Sequence, residues 1–150
     1  MTKTLGWGLI GTGKIADDRI LPGINAFKGN KLVAVVSREQ SRADMFAKKF
    51  GAQHAYTKYA DMLANSDVQV VAIHTPNSLH CEEVIAAAKA GKHVFCEKPL
   101  ALTRADAERS LAAINANKLH VAIGHERRFE PPVDRKSTRL NSSHIPLSRM

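Results

Sequence analysis

Two short stretches carry residues whose types and spacing could do chemistry. The first is Gly11-Thr12-Gly13-Lys14-Ile15-Ala16, a G-x-G-x-x-A pattern placed directly after the apolar run Leu5 to Ile10. Gly11 permits a tight strand-to-helix turn, Gly13 leaves the backbone bare, and Ala16 is small enough for the new helix to pack on its strand. A backbone of this kind receives an anion, because the free N–H groups and dipole of a helix start hold a pyrophosphate. The candidate contacts are Gly11, Thr12, Gly13, Lys14 and Ile15. The second stretch is Ser37-Arg38, at the end of the next apolar run. A dinucleotide-binding loop has its ribose reader about 20 residues on, and an acid there grips the 2′-hydroxyl of NAD. Arg38 can instead pair with a 2′-phosphate and Ser37 can donate to it, while the guanidinium plane can stack on adenine. NADP is therefore the expected cofactor, with NAD second.

These groups need a scaffold, and the pattern of the chain supplies one. Leu5 to Ile10 reads as a buried strand, followed by a helix from Lys14 to about Leu21 that Pro22-Gly23 ends or kinks. Lys31 to Val36 is a β-branched strand run. Ser41 to Asp44 resembles a capping box opening a helix that Gly51 stops. A short strand (52–56) and a short helix (59–63) lead to the strand Asp67 to His74. Asn77 or Ser78 is expected to cap the next helix, Leu79 to Ala90, which Gly91 stops. His93 to Cys96 is a strand, Thr103 caps a helix running to about Asn117, and Leu119 to Ile123 is a last strand. Strands alternating with helices of this length imply βαβ units, hence an α/β, Rossmann-type doubly wound parallel sheet with helices on both faces.

Composition narrows the classes. The 150 residues amount to about one domain. The formal charge of +8 is scattered over helical patterns, and part of it sits in residues 134–150, where Arg135, Lys136, Arg139 and Arg149 face a single acid, Asp134. No basic run or aromatic-basic interleave appears, so solvated helix faces are expected and a nucleic-acid partner is not. Two cysteines make no disulfide framework. His80, Cys81, His93 and Cys96 match no finger or ribbon spacing, so no metal site is expected. No apolar run is long enough for a signal h-region or a membrane span; a soluble, cytoplasmic protein is expected.

The segments "TPNSLH" (75–80) and "CEKPL" (96–100), with "LIGTGKIA" (9–16) and "GHERRFEP" (124–131), carry a further signal. Together they resemble the N-terminal half of the Gfo/Idh/MocA family, the glucose–fructose oxidoreductase, inositol dehydrogenase and rhizopine-catabolism group. The resemblance covers Leu5 to about Pro131. It implies that Thr75, Pro76 and Asn77 lie along the cofactor near the nicotinamide ribose, and that His80, opening the next helix, is a further cofactor contact. It implies that Lys98 reaches the nicotinamide, orients a substrate hydroxyl and assists proton transfer, that Glu97 contacts cofactor ribose, and that the Lys98–Pro99 bond is often cis. Arg128, ahead of Arg127, is the arginine that would border the cofactor. The implied reaction is hydride transfer between nicotinamide and a sugar, cyclitol or related polyol.

In that family a second, α+β domain supplies the substrate pocket, the acid/base histidine and the sheet through which members dimerise. That domain is expected to be missing here. Residues 1–123 are then the NAD(P)-binding domain, 124–133 the start of the connection, and a homo-oligomer is expected only with the missing part. The chain itself would bind dinucleotide without turnover. A non-catalytic dinucleotide-binding regulator of the same fold, or a module for another adenine nucleotide, stays open. Residues 134–150, "DRKSTRLNSSHIPLSRM", resemble the translation of a sequencing adapter, which implies a non-native tail with no function of its own.

Overall fold

The computed structural model describes residues 4–125. Arg128, the rest of the 124–133 connection beyond His125 and the 134–150 tail lie outside the described residues. Six strands form one parallel sheet: β1 (Leu5–Ile10), β2 (Asn30–Val36), β3 (His54–Tyr56), β4 (Val70–Ile73), β5 (His93–Cys96) and β6 (Val121–Ile123). Their order is β3-β2-β1-β4-β5-β6. This is the doubly wound order, and its direction reverses between β1 and β4, where the crevice for a ligand opens at the carboxyl ends of the strands.

The β-branched runs alternate sides, and each side has its own core. On one face Leu9, Leu32, Val35 and Ala72 pack with Ala16, Leu21, Ile24 and Phe46, covered by α1 (Leu21–Ala26) and α2 (Gln40–Phe50). On the other, Val33, Val36, Val71, Ile73 and Val94 pack with Met62, Val84, Ala87 and Ile114. The helices there are α3 (Tyr59–Ala64), α4 (His80–Lys89) and α5 (Arg104–Ala116). Strands apolar on both faces are what a sheet sandwiched by helices requires.

Three helix boundaries depart from the expected ones, each for a local reason. Pro22 neither ends nor breaks the first helix, which continues to Ala26 through a π-turn over Ala16–Ile20. The Leu21 N–H reaches back five residues to the Ala16 carbonyl. Widening the turn lets the ladder pass a residue without an N–H, and buried Leu21 and Ile24 hold the far side down. Ser41 does not cap α2, which starts one residue earlier with Glu39 as an extended N-cap that makes no side-chain bond. Its first turn is anchored instead by Arg42, which reaches the glycine loop. Neither Asn77 nor Ser78 caps α4 through its side chain; a 3-10 turn, Asn77–Leu79, precedes the helix. The Thr103 cap is present, its hydroxyl accepting from the Asp106 N–H at 3.1 Å. Gly51 and Gly91 take the left-handed conformation at the ends where they were expected to stop α2 and α4.

Candidate dinucleotide site

At the switch point the chain leaves β1 through Gly11, whose φ of 96° is in the left-handed region. A Cβ there would run into the backbone carbonyl of His74 at the end of β4. The fold itself therefore demands this glycine. Gly13 differs: a Cβ built on it meets nothing within 4 Å, and its φ is not left-handed. Nothing in the chain needs a bare backbone at Gly13, so the open space beside it is available to an incoming group. The Asp17 N–H closes the first turn on the Gly13 carbonyl at 3.1 Å. The amides ahead of that bond have no partner along the helix axis. This is the cradle a diphosphate fits.

The loop is held from β2 and α2. Thr12 is buried, and its hydroxyl lies 3.1 Å from that of Ser37. Arg42 donates from Nε to the Thr12 hydroxyl (2.9 Å) and carbonyl (3.1 Å), and from Nη2 to the same carbonyl (2.5 Å). Arg38 is exposed at the rim. Glycine loop, Ser37, Arg38, Glu39 and Arg42 line one side of a cleft of about 540 Å³; Thr57, Tyr59, Thr75, Pro76, Leu79 and Glu83 line the rest. That volume is within the range of small-molecule sites. Arg38 and Arg42 put two guanidinium groups at the β2 end of the cleft, where they suit a phosphorylated ligand; of the two carboxylates in the lining, Glu39 lies beside them and Glu83 comes from α4.

Of the expected contacts, the cleft thus gathers Gly11, Thr12, Gly13, Ser37, Arg38, Thr75 and Pro76. Lys14, Ile15 and Asn77 are exposed beside it and do not line it. His80 is a correction: it is completely buried and does not reach the cleft. Its Nδ1 lies 2.7 Å from the Pro99 carbonyl and its Nε2 3.0 Å from the Thr75 carbonyl. Two carbonyl partners claim both ring nitrogens, so His80 braces the turn after β4 against the turn after β5 and has no nitrogen left for a ligand.

Glu97 and Lys98 leave β5 at the same edge. Ile10, Ile73 and Cys96 are aligned across β1, β4 and β5, so Gly11, His74 and Glu97 exit side by side on strands about 4.8 Å apart. Lys98 is exposed, and its peptide bond to Pro99 is cis. Glu97 is nine-tenths buried; its Oε2 accepts from the Lys98 N–H at 3.1 Å, and Gly124 passes close over its Oε1. Neither residue lines the cleft.

Arg42, Tyr59, Leu79 and Glu83 were not singled out from sequence. Arg42 follows Arg38 by one helical turn and Glu83 follows Leu79 likewise, a spacing that is readable once the helix starts are known. The Thr75 hydroxyl donates to Glu83 Oε2, and the Tyr59 hydroxyl donates to the Glu83 carbonyl at 3.1 Å. Burial pushes the Glu83 carboxyl above its ordinary pKa, partly offset by the Thr75 bond and the nearby His80. Burial, with Glu83 and Glu97 adding to it, pushes the Cys96 thiol up to about 12.

Residues 5–125 match the family described as "Oxidoreductase family, NAD-binding Rossmann fold". The chain belongs to the Gfo/Idh/MocA family. Among Gfo/Idh/MocA relatives, inositol 2-dehydrogenase of Salmonella typhimurium is 38% identical over 129 residues, which is 85% of this chain and 38% of the relative. The 1,5-anhydro-D-fructose reductase of Ensifer adhaerens is 37% identical over 118 residues, 79% of this chain and 34% of the relative. A 3-ketoreductase from Actinomadura kijaniata, solved in complex with NADP, superposes with a TM-score of 0.88 at 31% identity, covering 95% of this chain and 45% of that one. The chain spans less than half the length of these Gfo/Idh/MocA relatives. No helix among the described residues is long and apolar enough to cross a membrane, and those residues hold no cluster of three or more metal-ligating side chains.

Proposed function

We propose that this chain is the dinucleotide-binding part of an NADP-dependent oxidoreductase that moves hydride between nicotinamide and a carbinol carbon of a sugar, cyclitol or related polyol. The observation that carries the cofactor choice is the group at the end of β2. Where an NAD site has its carboxylate, this chain has Ser37, with Arg38 one residue on and Arg42 one turn later, clamped to Thr12. Among the described residues Arg42 keeps Nη1 free, and the Arg38 guanidinium is exposed, so both can reach a 2′-phosphate at the rim.

When bound, the nicotinamide supplies the hydride chemistry. The chain's own groups then have separate tasks. The amides from Thr12 to Lys14 bind the diphosphate, and Ser37, Arg38 and Arg42 hold the 2′-phosphate; the Gly11 N–H is taken by the Val36 carbonyl at 3.3 Å. Pro76 and Thr75 form the wall along which the cofactor passes toward β5. Lys98, at the β5 exit, orients the substrate hydroxyl and takes part in moving its proton; Glu97, folded beneath, fixes the Lys98 backbone. His80 sets the spacing between these two turns. The whole protein acts as a soluble enzyme, and its dimer contact and acid/base histidine come from a second domain.

Calorimetric titration of the chain with NADPH and NADH tests the reading. NADPH is expected to bind at least tenfold more tightly, with a preference that shrinks in high salt because exposed charges carry it. Equal affinity for the two would remove NADP as the cofactor, and no binding of either would remove the site.

A further inference from the structure

We propose that Glu83 makes this cleft selective for the adenine base, its carboxylate Oε1 accepting a hydrogen bond from the exocyclic amine. The proposal rests on the cofactor reading above, in which Ser37, Arg38 and Arg42 hold the 2′ position. The base hangs from the ribose carbon next to that position, so it must lie in the part of the cleft adjoining the end of β2. The walls there come from Arg38, from Thr57 and Tyr59 after β3, from Leu79 at the end of the 3-10 turn and from Glu83 in the first turn of α4. Arg38 and Leu79 offer a cationic plane and an apolar side chain, both of which suit the face of a purine but read nothing on its edge. Glu83 is the carboxylate of α4 in this wall, four residues from Leu79 and on the same helix face.

Its carboxylate is held in place. Oε2 accepts from the Thr75 hydroxyl, and the Tyr59 hydroxyl binds the carbonyl of the same residue. Among the described residues Oε1 has no hydrogen-bond partner, although the side chain is more than half buried. An acceptor fixed by one oxygen and open at the other is wasted on a phosphate, which it would repel. It fits a neutral group that donates, and adenine presents such a group at its 6-amine. A 6-oxo purine presents an acceptor there and would face Oε1 with like charge. A site built to bond one edge rejects the analogue lacking that donor more strongly than it rejects a change of size.

The test compares NADPH with its reduced hypoxanthine analogue, in which a 6-oxo group replaces the amine, by calorimetry on the wild-type chain, Glu83→Gln and Glu83→Asp. The wild type is expected to favour NADPH about tenfold. Glu83→Gln, whose amide can turn either a donor or an acceptor to the base, is expected to bring the two within twofold. Glu83→Asp, which withdraws the carboxylate by one methylene, gives a second reading and is expected to narrow the ratio as well. A wild type indifferent to the two bases, or variants that keep the wild-type ratio, would overturn the proposal while leaving the cofactor reading intact. A wild type that binds neither dinucleotide would overturn both.

Discussion

The loop exits after β1 and after β5 lie at one edge of one sheet, two strands apart, yet they are held in different ways. After β1, the glycine loop is tied from the side: Ser37 and Arg42 both bond Thr12, and the strand end itself is locked by Gly11 against His74. After β5, Lys98 stands exposed above a buried Glu97, and the brace beneath, His80, touches backbone only. The exit after β1 is thus fixed by side-chain bonds from β2 and α2, whereas after β5 the Lys98 side chain stands exposed. Affinity and chemistry are assigned to separable parts, and substitutions should separate them.

The sharpest break in that comparison lies within the glycine loop. Gly13→Val fills the open space beside the glycine loop and is expected to lower dinucleotide affinity at least ~100-fold, with a melting temperature within about 2 °C of wild type, because the added Cβ meets nothing within 4 Å. Gly11→Ala should do the reverse first. It combines a left-handed backbone with a collision at His74, and is expected to destabilise by about 3 kcal/mol, a fall in melting temperature on the order of 10 °C. A Gly13 variant that melts early, or a Gly11 variant that does not, would erase the distinction drawn between the two glycines.

Next in size are the arginines. Arg38→Ala is expected to weaken NADPH about tenfold and NADH by about two- to threefold, since it removes the 2′-phosphate partner from the first and the plane against the adenine from both. Arg42→Ala should weaken NADPH by about 10- to 30-fold and NADH by about threefold, because it also releases the Thr12 clamp. Isothermal titration of both nucleotides resolves the pattern. Loss confined to NADPH in both variants would show that the clamp contributes nothing to the loop.

A control at the far side of the sheet comes next. Thr103→Ala removes the hydroxyl that caps α5 and is expected to lower stability by about 1 kcal/mol without altering nucleotide affinity. Denaturant melts with and without NADPH check it. A change in affinity would mean that the β5–α5 connection is coupled to the cleft after all.

How much of this was legible beforehand divides along the same line. The alternation of apolar runs and helical patterns was enough for a doubly wound sheet, and the glycine loop, Ser37 and Arg38 sit in one cleft because each follows its strand directly. The departures share a cause, which is contact between segments distant in sequence. Pro22 was read as an end or a kink because the buried Leu21 and Ile24 that carry the helix on through a π-turn gain that role only by packing on β1 and β2. His80 was read as a first-turn contact because the Pro99 carbonyl that claims its Nδ1 is 19 residues away. Arg42, Tyr59 and Glu83 were missed because their place in the cleft depends on β3 pairing with β2 and on the starts of α2 and α4, which turned on tertiary anchors and not on the side-chain caps the sequence suggested.

The smallest effect concerns pH, and it isolates Glu83 from the groups around it. Burial raises the Glu83 carboxyl above its ordinary 4.5, with the Thr75 bond and His80 working against that rise. Between the unfolded and folded values, the folded chain therefore still holds a proton that the unfolded chain has released. Stability from this group is fully present below about pH 4.5 and is lost as pH rises through the folded value, since the slope follows protons bound in the unfolded state minus those in the native one. A single melting curve sums every titrating group of the chain and will not isolate this one. The difference between wild type and Glu83→Gln will, because the amide keeps the shape and cannot ionise. That difference should be flat below about pH 4.5 and then shift in favour of Glu83→Gln as pH increases. A shift in the opposite sense would mean that the ionised carboxylate is the form the fold prefers, held by His80 more strongly than burial disfavours it.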